Sequence, residues 1–197
     1  MIAGLILAGG EGSRMGGADK GACLLAGEPL ACHVARRFAP QVDALWVSAN
    51  RGVALYRTLG EVVPDLAAYA GMGPLAGIAS CAQRLPEGAL LAVVPCDTPR
   101  LPDDLVARLS AGLAAQPAAG AAYAQAPAGP HYAMLLARAG ALAALPDYLA
   151  RGGRAIRHWL AAVHAAGVPF DDDTAFANAN DAASLAALAA RLDAAKP

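Results

Sequence analysis

The chain has 197 residues and a formal net charge of −1 with no basic block, which excludes duplex nucleic acid as its main partner. Hydrophobic residues make up 57% and charged residues 16%. Much of the apolar share is alanine, so the composition predicts alanine-rich helices around the modest core of a single domain.

No run of about 18 apolar residues free of charge or glycine offers a membrane span. Met1-Ile2-Ala3-Gly4 lacks the basic start of a secretory signal, so no signal peptide is expected. The four cysteines, Cys23, Cys32, Cys81 and Cys96, form no C-x-x-C pair and no zinc spacing. They are expected to be reduced thiols of a cytoplasmic protein.

In chain order, the apolar run Ile2–Leu7 predicts a first strand. It empties into a loop with glycines at 9, 10, 12, 16 and 17. An extended piece at 22–25 and a turn at Gly27-Glu28 lead to a helix over 29–38, with Pro29 in its first turn. Ala44–Ser48 reads as the second strand, 53–59 as a helix ended by Gly60, and Glu61–Pro64 as a third strand with Asp65 at its tip. A loop to Gly73 precedes a helix from Pro74 to about Arg84.

Ala89–Val94, nearly all apolar, is the fourth strand. The next helix is expected near Pro102, with Asp103 and Asp104 in its first turn. Segment 111–130 carries little pattern. Strands are expected at 120–124 and 131–137, helices at 142–150 and 154–165, and an extended piece at 168–170. The acidic triplet Asp171–Asp173 reads as a solvated loop. A last helix is expected from about Ala182, capped by Asp181. Continuous apolar strands alternating with helices predict an α/β fold: a Rossmann-like, three-layer α/β/α arrangement with a mostly parallel central sheet.

The glycine loop after the first strand is suited to phosphate. Glycine lets backbone N–H groups approach a ligand closely. Arg14 adds a planar donor fork and Lys20 a point charge. The loop fails the P-loop template, because Gly17 is followed by Ala18-Asp19-Lys20. It also fails G-x-G-x-x-G, because Met15 stands at the third glycine of a frame starting at Gly10. A plain strand-to-helix connection with two solvated charges accounts for the same residues.

Ligands of open α/β sheets bind outside the carboxyl ends of the strands. Here the strand ends carry Ala8–Lys20, Ser48–Arg51, Asp65 and Asp97. Asp97, after a buried apolar strand, is placed to meet a metal-bound triphosphate; an Asx turn before Thr98-Pro99 is the structural alternative. Asn50 serves equally as a cap for the following helix, and Asp65 as a chain turn. Cys96 reads as a small buried filler beside this site.

Leu-Ala-Gly-Gly at 7–10, Arg14-Met15-Gly16-Gly17 and Asp19-Lys20-Gly21 together resemble the signature of the molybdenum cofactor guanylyltransferases, a branch of the Rossmann-like nucleotidyltransferases. Gly73-Pro74-Leu75-Ala76-Gly77 and Pro95-Cys96-Asp97-Thr98-Pro99 resemble further family segments. The likeness runs from Ile2 to about Leu109 and returns at 176–185. His131 lacks the following proline of a family histidine, and no role is carried to it. Asn178-Ala179-Asn180 matches the asparagines of the family's Asn-x-Asn-Thr-Pro, but Asp181-Ala182 replaces Thr-Pro.

The resemblance implies transfer of GMP from GTP to molybdopterin or molybdenum-molybdopterin, with Mg²⁺ held by Asp97 and pyrophosphate released. It implies catalytic roles for Asp97, Lys20 and Arg14. Nucleotide contacts fall to Leu7, Ala8, Gly9, Lys20, Asn50, Asp65 and Asp97, and acceptor contacts to Asn178 and Asn180. Residues 1–109 would form the nucleotide-binding half of the domain and 110–197 the acceptor-binding half. Cofactor insertion and delivery proteins are the expected partners, with no membrane involved. The rivals are a sister enzyme transferring CMP to molybdopterin or a nucleotide to a sugar phosphate, and a non-catalytic nucleotide-binding regulator.

Overall fold

The structure is a computed structural model, and it describes residues 1–8, 19–179, 184–186 and 188–189. Strand β1 (Ile2–Leu7) is followed by a small hairpin, β2 (Leu24–Leu25) and β3 (Glu28–Pro29), then by helix α1 (Leu30–Phe38), β4 (Ala44–Ser48), α2 (Val53–Tyr56), β5 (Glu61–Val63) and α3 (Pro74–Ala82). Next come β6 (Leu90–Pro95), α4 (Leu105–Ala115), β7 (Ala121–Ala126) and β8 (Gly129–Arg138). Helices α5 (Ala139–Leu142), α6 (Leu145–Ala150) and α7 (Ile156–Ala162) precede β9 (Ala166–Pro169).

The main sheet has seven strands in the order β5-β4-β1-β6-β8-β7-β9. The first four are mutually parallel, and β8 runs against its neighbours β6 and β7. The expected mostly parallel sheet is therefore present. The chain builds outward from β1 through β4 to β5, and α3 then carries it back to lay β6 on the other side of β1. That reversal opens a crevice at the carboxyl ends of β1 and β6.

Strand alternation sorts side chains onto two faces. Leu5, Trp46, Leu91, Val93 and Leu135 pack under α3 and α5–α7. Ile6, Val47, Ala92, Val94 and Leu136 pack under α1 and α4. Burying each large aliphatic side chain contributes about 1.5–3 kcal/mol. Helix α1 approaches β1 so closely that a Cβ on Gly4 would lie 2.9 Å from the Phe38 ring and 2.8 Å from Val42. A third, small cluster joins Leu25 of the hairpin and Leu30 of α1 to Ala179 and Leu188.

Several boundaries differ from expectation. Pro29 pairs with Leu24 in β3 and stands just before α1, because its fixed φ suits an extended residue as well as a helix start. Helix α2 ends at Tyr56 rather than 59. Helix α4 begins at Leu105, so Asp103 and Asp104 precede it; they face Arg37 (2.9 Å) and Arg108 (3.9 Å). The helix expected at 142–150 is split in two, with Pro146 in the first turn of α6. Helix α7 stops at Ala162, shortly before His164 at φ 53°. The proposed cap Asp181 and helix start Ala182 lie outside the described residues.

Candidate active site

At the carboxyl ends of β1, β4, β5 and β6 lies a cleft of about 710 Å³. Backbone pairing carries the strands past their formal ends: Ala8 N–H donates to the Ser48 carbonyl (2.9 Å), and Cys96 N–H to the Leu7 carbonyl (3.1 Å). Leu7, Ala8, Ser48 and Cys96 therefore form a rigid rim, and all four line the cleft. Rigid strand ends hold a site more accurately than loops.

Asp97 follows this rim and is only 8% exposed. Its Oδ2 accepts from Lys20 Nζ at 3.3 Å, across 77 residues of sequence. Its Oδ1 is buried and has no hydrogen-bond partner among the described residues. A buried carboxylate oxygen without a partner is costly. It has the chemistry of a hard-cation ligand, so the residue present fits a divalent metal. Among the described residues, no three His, Cys, Asp or Glu gather as a protein-only metal cage. That suits a metal held by one or two carboxylates together with substrate phosphates. Burial, followed by the neighbouring Asp97 charge, pushes the Cys96 thiol up to about 12, so it stays protonated and acts as filler.

Lys20 opens a short 3₁₀ turn, Lys20–Ala22, capped by Asp19, whose Oδ1 accepts from Gly21 N–H at 3.1 Å. The Tyr56 hydroxyl donates to the same oxygen. Sequence reasoning gave Asp19 and Tyr56 no role; the signal for Asp19 was its place beside Lys20 in the glycine-loop motif.

Asn50 and Asp65 meet across two strand ends. Asn50 Nδ2 donates to Asp65 Oδ2 (2.8 Å), and Asp65 N–H donates to Asn50 Oδ1 (2.9 Å). Asn50 is thus no helix cap; Gly52, at φ 64°, takes that position for α2. Both residues line the cleft. Helix α3 starts after Gly73 at φ 75°, a conformation suited to glycine, and Gly73 and Gly77 line the cleft as well. A Cβ on Gly77 would sit 2.9 Å from Ser48 Cβ, so only glycine lets the helix approach the rim.

The fold brings Asn178 to the loop that carries Asp97. The hydroxyl of Thr98, which is 0% exposed, donates to Asn178 Oδ1 at 2.7 Å, and Ala179 N–H donates to the Asp97 carbonyl at 2.8 Å. Ala133 and Ile156, from the second half of the chain, also line the cleft. Gly9, Arg14 and Asn180 lie outside the described residues.

His131 lies apart from these groups and stacks on Phe176, with ring centroids 4.5 Å apart. The acidic triplet is exposed throughout, as a solvated loop should be, and two of its carboxylates also brace backbone: Asp172 Oδ1 accepts from Thr174 N–H and Asp173 Oδ1 from Ala128 N–H, both at 2.8 Å.

The sequence matches the MobA-like NTP transferase domain over residues 4–167. A molybdenum cofactor guanylyltransferase from Burkholderia orbicola (strain MC0-3) is 46% identical over 203 residues, covering 96% of each chain. Among solved structures, molybdopterin-guanine dinucleotide biosynthesis protein A from Archaeoglobus fulgidus has a TM-score of 0.79 at 20% identity, over 98% of this chain and 99% of that one. Rv0371C from Mycobacterium tuberculosis, in complex with manganese, has a TM-score of 0.66 at 15% identity, over 96% and 98%. At those identities the two structures bear on the fold.

Proposed function

The chain belongs to the MobA-like NTP transferase family, and on that premise we propose that it is a molybdenum cofactor guanylyltransferase. It transfers GMP from GTP to molybdopterin, or to molybdenum-molybdopterin, and releases pyrophosphate. The observation that carries the reading is the Lys20–Asp97 pair, with its unpartnered carboxylate oxygen, at the strand-order reversal. The name shared by relatives at 44–46% identity supports the same reaction.

An oxygen of the acceptor's terminal phosphate bonds to the α-phosphorus. The bond from that phosphorus to the α–β bridging oxygen breaks, and the electron pair leaves with pyrophosphate. The attacking phosphate is already ionised, so the residues need to position and neutralise rather than abstract a proton. Lys20 stabilises charge on the triphosphate, and Arg14 is assigned the same task. The backbone of Leu7, Ala8 and Gly9 receives the nucleotide. Asn50 and Asp65 offer amide and carboxylate groups to the donor edge of guanine.

Asp97 holds the divalent metal, for which we propose Mg²⁺. Bound there, the metal would supply charge neutralisation on the phosphates. Asn178 and Asn180 are assigned to acceptor binding. Residues 1–109 serve the nucleotide and 110–197 the acceptor. We place the reaction in the cytoplasm, consistent with the free thiols of Cys23, Cys32, Cys81 and Cys96. Insertion and delivery proteins would take the product. Among the described residues no helix is long and apolar enough to cross a membrane.

The test is pyrophosphate release with purified molybdopterin and GTP, CTP or UTP. Release that requires both the pterin and GTP is the expected result. A preference for CTP, or release with a sugar phosphate in place of the pterin, would replace this reading with a sister activity. No release with any pair would leave a nucleotide-binding regulator.

A further inference from the structure

Tyr56 is fully buried at 0% exposure, yet its hydroxyl reaches the carboxylate of Asp19, the residue before Lys20. A buried tyrosine hydroxyl needs a partner, and many partners would satisfy it. This one is the cap of the Lys20 turn. Asp19 Oδ1 receives both the Tyr56 hydroxyl and Gly21 N–H, while the Asp19 carbonyl receives Ala22 N–H at 3.1 Å. Asp19 Oδ2 is buried and has no hydrogen-bond partner among the described residues, so the phenol is a principal anchor of the carboxylate.

The slot is shaped for this contact by two glycines. A Cβ on Gly21 would run into the Tyr56 hydroxyl, with ring atoms at 3.1 and 3.2 Å, and one on Gly52 would run into Asp19 Oδ2. Burial, and then the bond to Asp19, raises the phenol well above its usual range, so it remains a donor throughout neutral pH. Tyr56 closes α2, which begins just after Asn50 and Arg51. Lys20, held on the other side of the same clamp, ends 3.3 Å from Asp97.

We propose that Tyr56 is a positioning residue for Lys20: through Asp19 it sets the turn that presents the ammonium to the triphosphate. It also ties that turn to the strand end that carries Asn50. The proposal rests on the reading of Lys20 as a triphosphate ligand.

The test is Tyr56→Phe, which keeps the ring and removes the hydroxyl. A hydrogen bond to a charged group commonly contributes about ten- to hundredfold in an equilibrium or rate. kcat/KM for GTP should fall within that range, and GTP affinity should fall relative to GMP, which lacks the β- and γ-phosphates. In a Lys20→Ala background the substitution should add nothing, because the residue it positions is gone. Gly21→Ala, which displaces the hydroxyl with the tyrosine intact, should give the same GTP-selective loss in a chain that still melts cooperatively.

Wild-type kcat/KM in Tyr56→Phe would overturn the proposal. So would equal weakening of GTP and GMP, or penalties that multiply in the double variant. Failure of the wild-type chain to make any dinucleotide would instead strike the functional reading. The paired GTP and GMP affinities, measured by calorimetry, would still decide the role of Tyr56.

Discussion

Asp97→Asn separates function from scaffold, because the structure gives the two opposite expectations. The amide keeps the shape and removes one negative charge. On the stability side, the ion pair to Lys20 is partly open, with side-chain exposures of 28% and 12%. A pair of that kind contributes about 0–1 kcal/mol. Against this, Oδ1 is buried without a partner, and a neutral amide relieves part of its desolvation cost. The two effects nearly cancel, so the melting midpoint should move by no more than about 2–4 °C for a chain of this size. On the activity side, loss of a preorganised electrostatic group costs on the order of 10²–10³ in rate, about 2.7–4 kcal/mol of transition-state stabilisation. The assay is single-turnover formation of guanine dinucleotide at saturating Mg²⁺, paired with calorimetric melting of the same preparation. Near-normal turnover would refute the assignment of Asp97 to the metal. A fall in the midpoint that parallels the lost activity would reassign it to the scaffold.

Lys20→Ala should weaken GTP more than GMP by isothermal titration, since the distal phosphates carry most of the charge it meets; equal losses would move the ammonium away from them. Asp65→Ala should lower the GTP over ATP preference in kcat/KM by roughly 5- to 150-fold, the cost of leaving a polar group unpaired once a bound base covers it. Because Asn50 bonds Asp65 twice, Asn50→Ala should give a shift of similar direction, and an unchanged ratio in both would place base selection elsewhere. The Cys81 and Cys96 thiols are both held up at about 12 by burial, against an ordinary 9.0. Unfolded thiols ionise first, so stability should be lost as pH rises from about 9 to 12, by up to about 1.4 kcal/mol per pH unit for each. Urea midpoints at stepped pH should decline less steeply in a Cys81→Ala/Cys96→Ala variant.

What is local could be read from the order of residues. The apolar runs at 2–7, 44–48 and 89–94 declared buried strands, found at 2–7, 44–48 and 90–95, since a strand covered on both faces needs little else. Polar residues placed directly after such runs, Asp97 and Asn50 above all, could be assigned to strand ends because the run and its end are contiguous. The glycine pattern and Lys20 raised the expectation of a phosphate-binding loop for the same reason. The rest depends on how distant parts of the chain meet. That β8 runs against β6 is a choice of partner and direction, and an apolar run carries neither. The Lys20–Asp97, Asn50–Asp65 and Thr98–Asn178 contacts join residues 77, 15 and 80 positions apart, set by how the strands line up rather than by their own neighbourhoods. Tyr56 is the clearest case: in sequence it sits inside the helix expected at 53–59, and only packing turns its hydroxyl onto Asp19. A side chain's burial and spacing can be encoded nearby, but its hydrogen-bond partner is chosen by the whole fold.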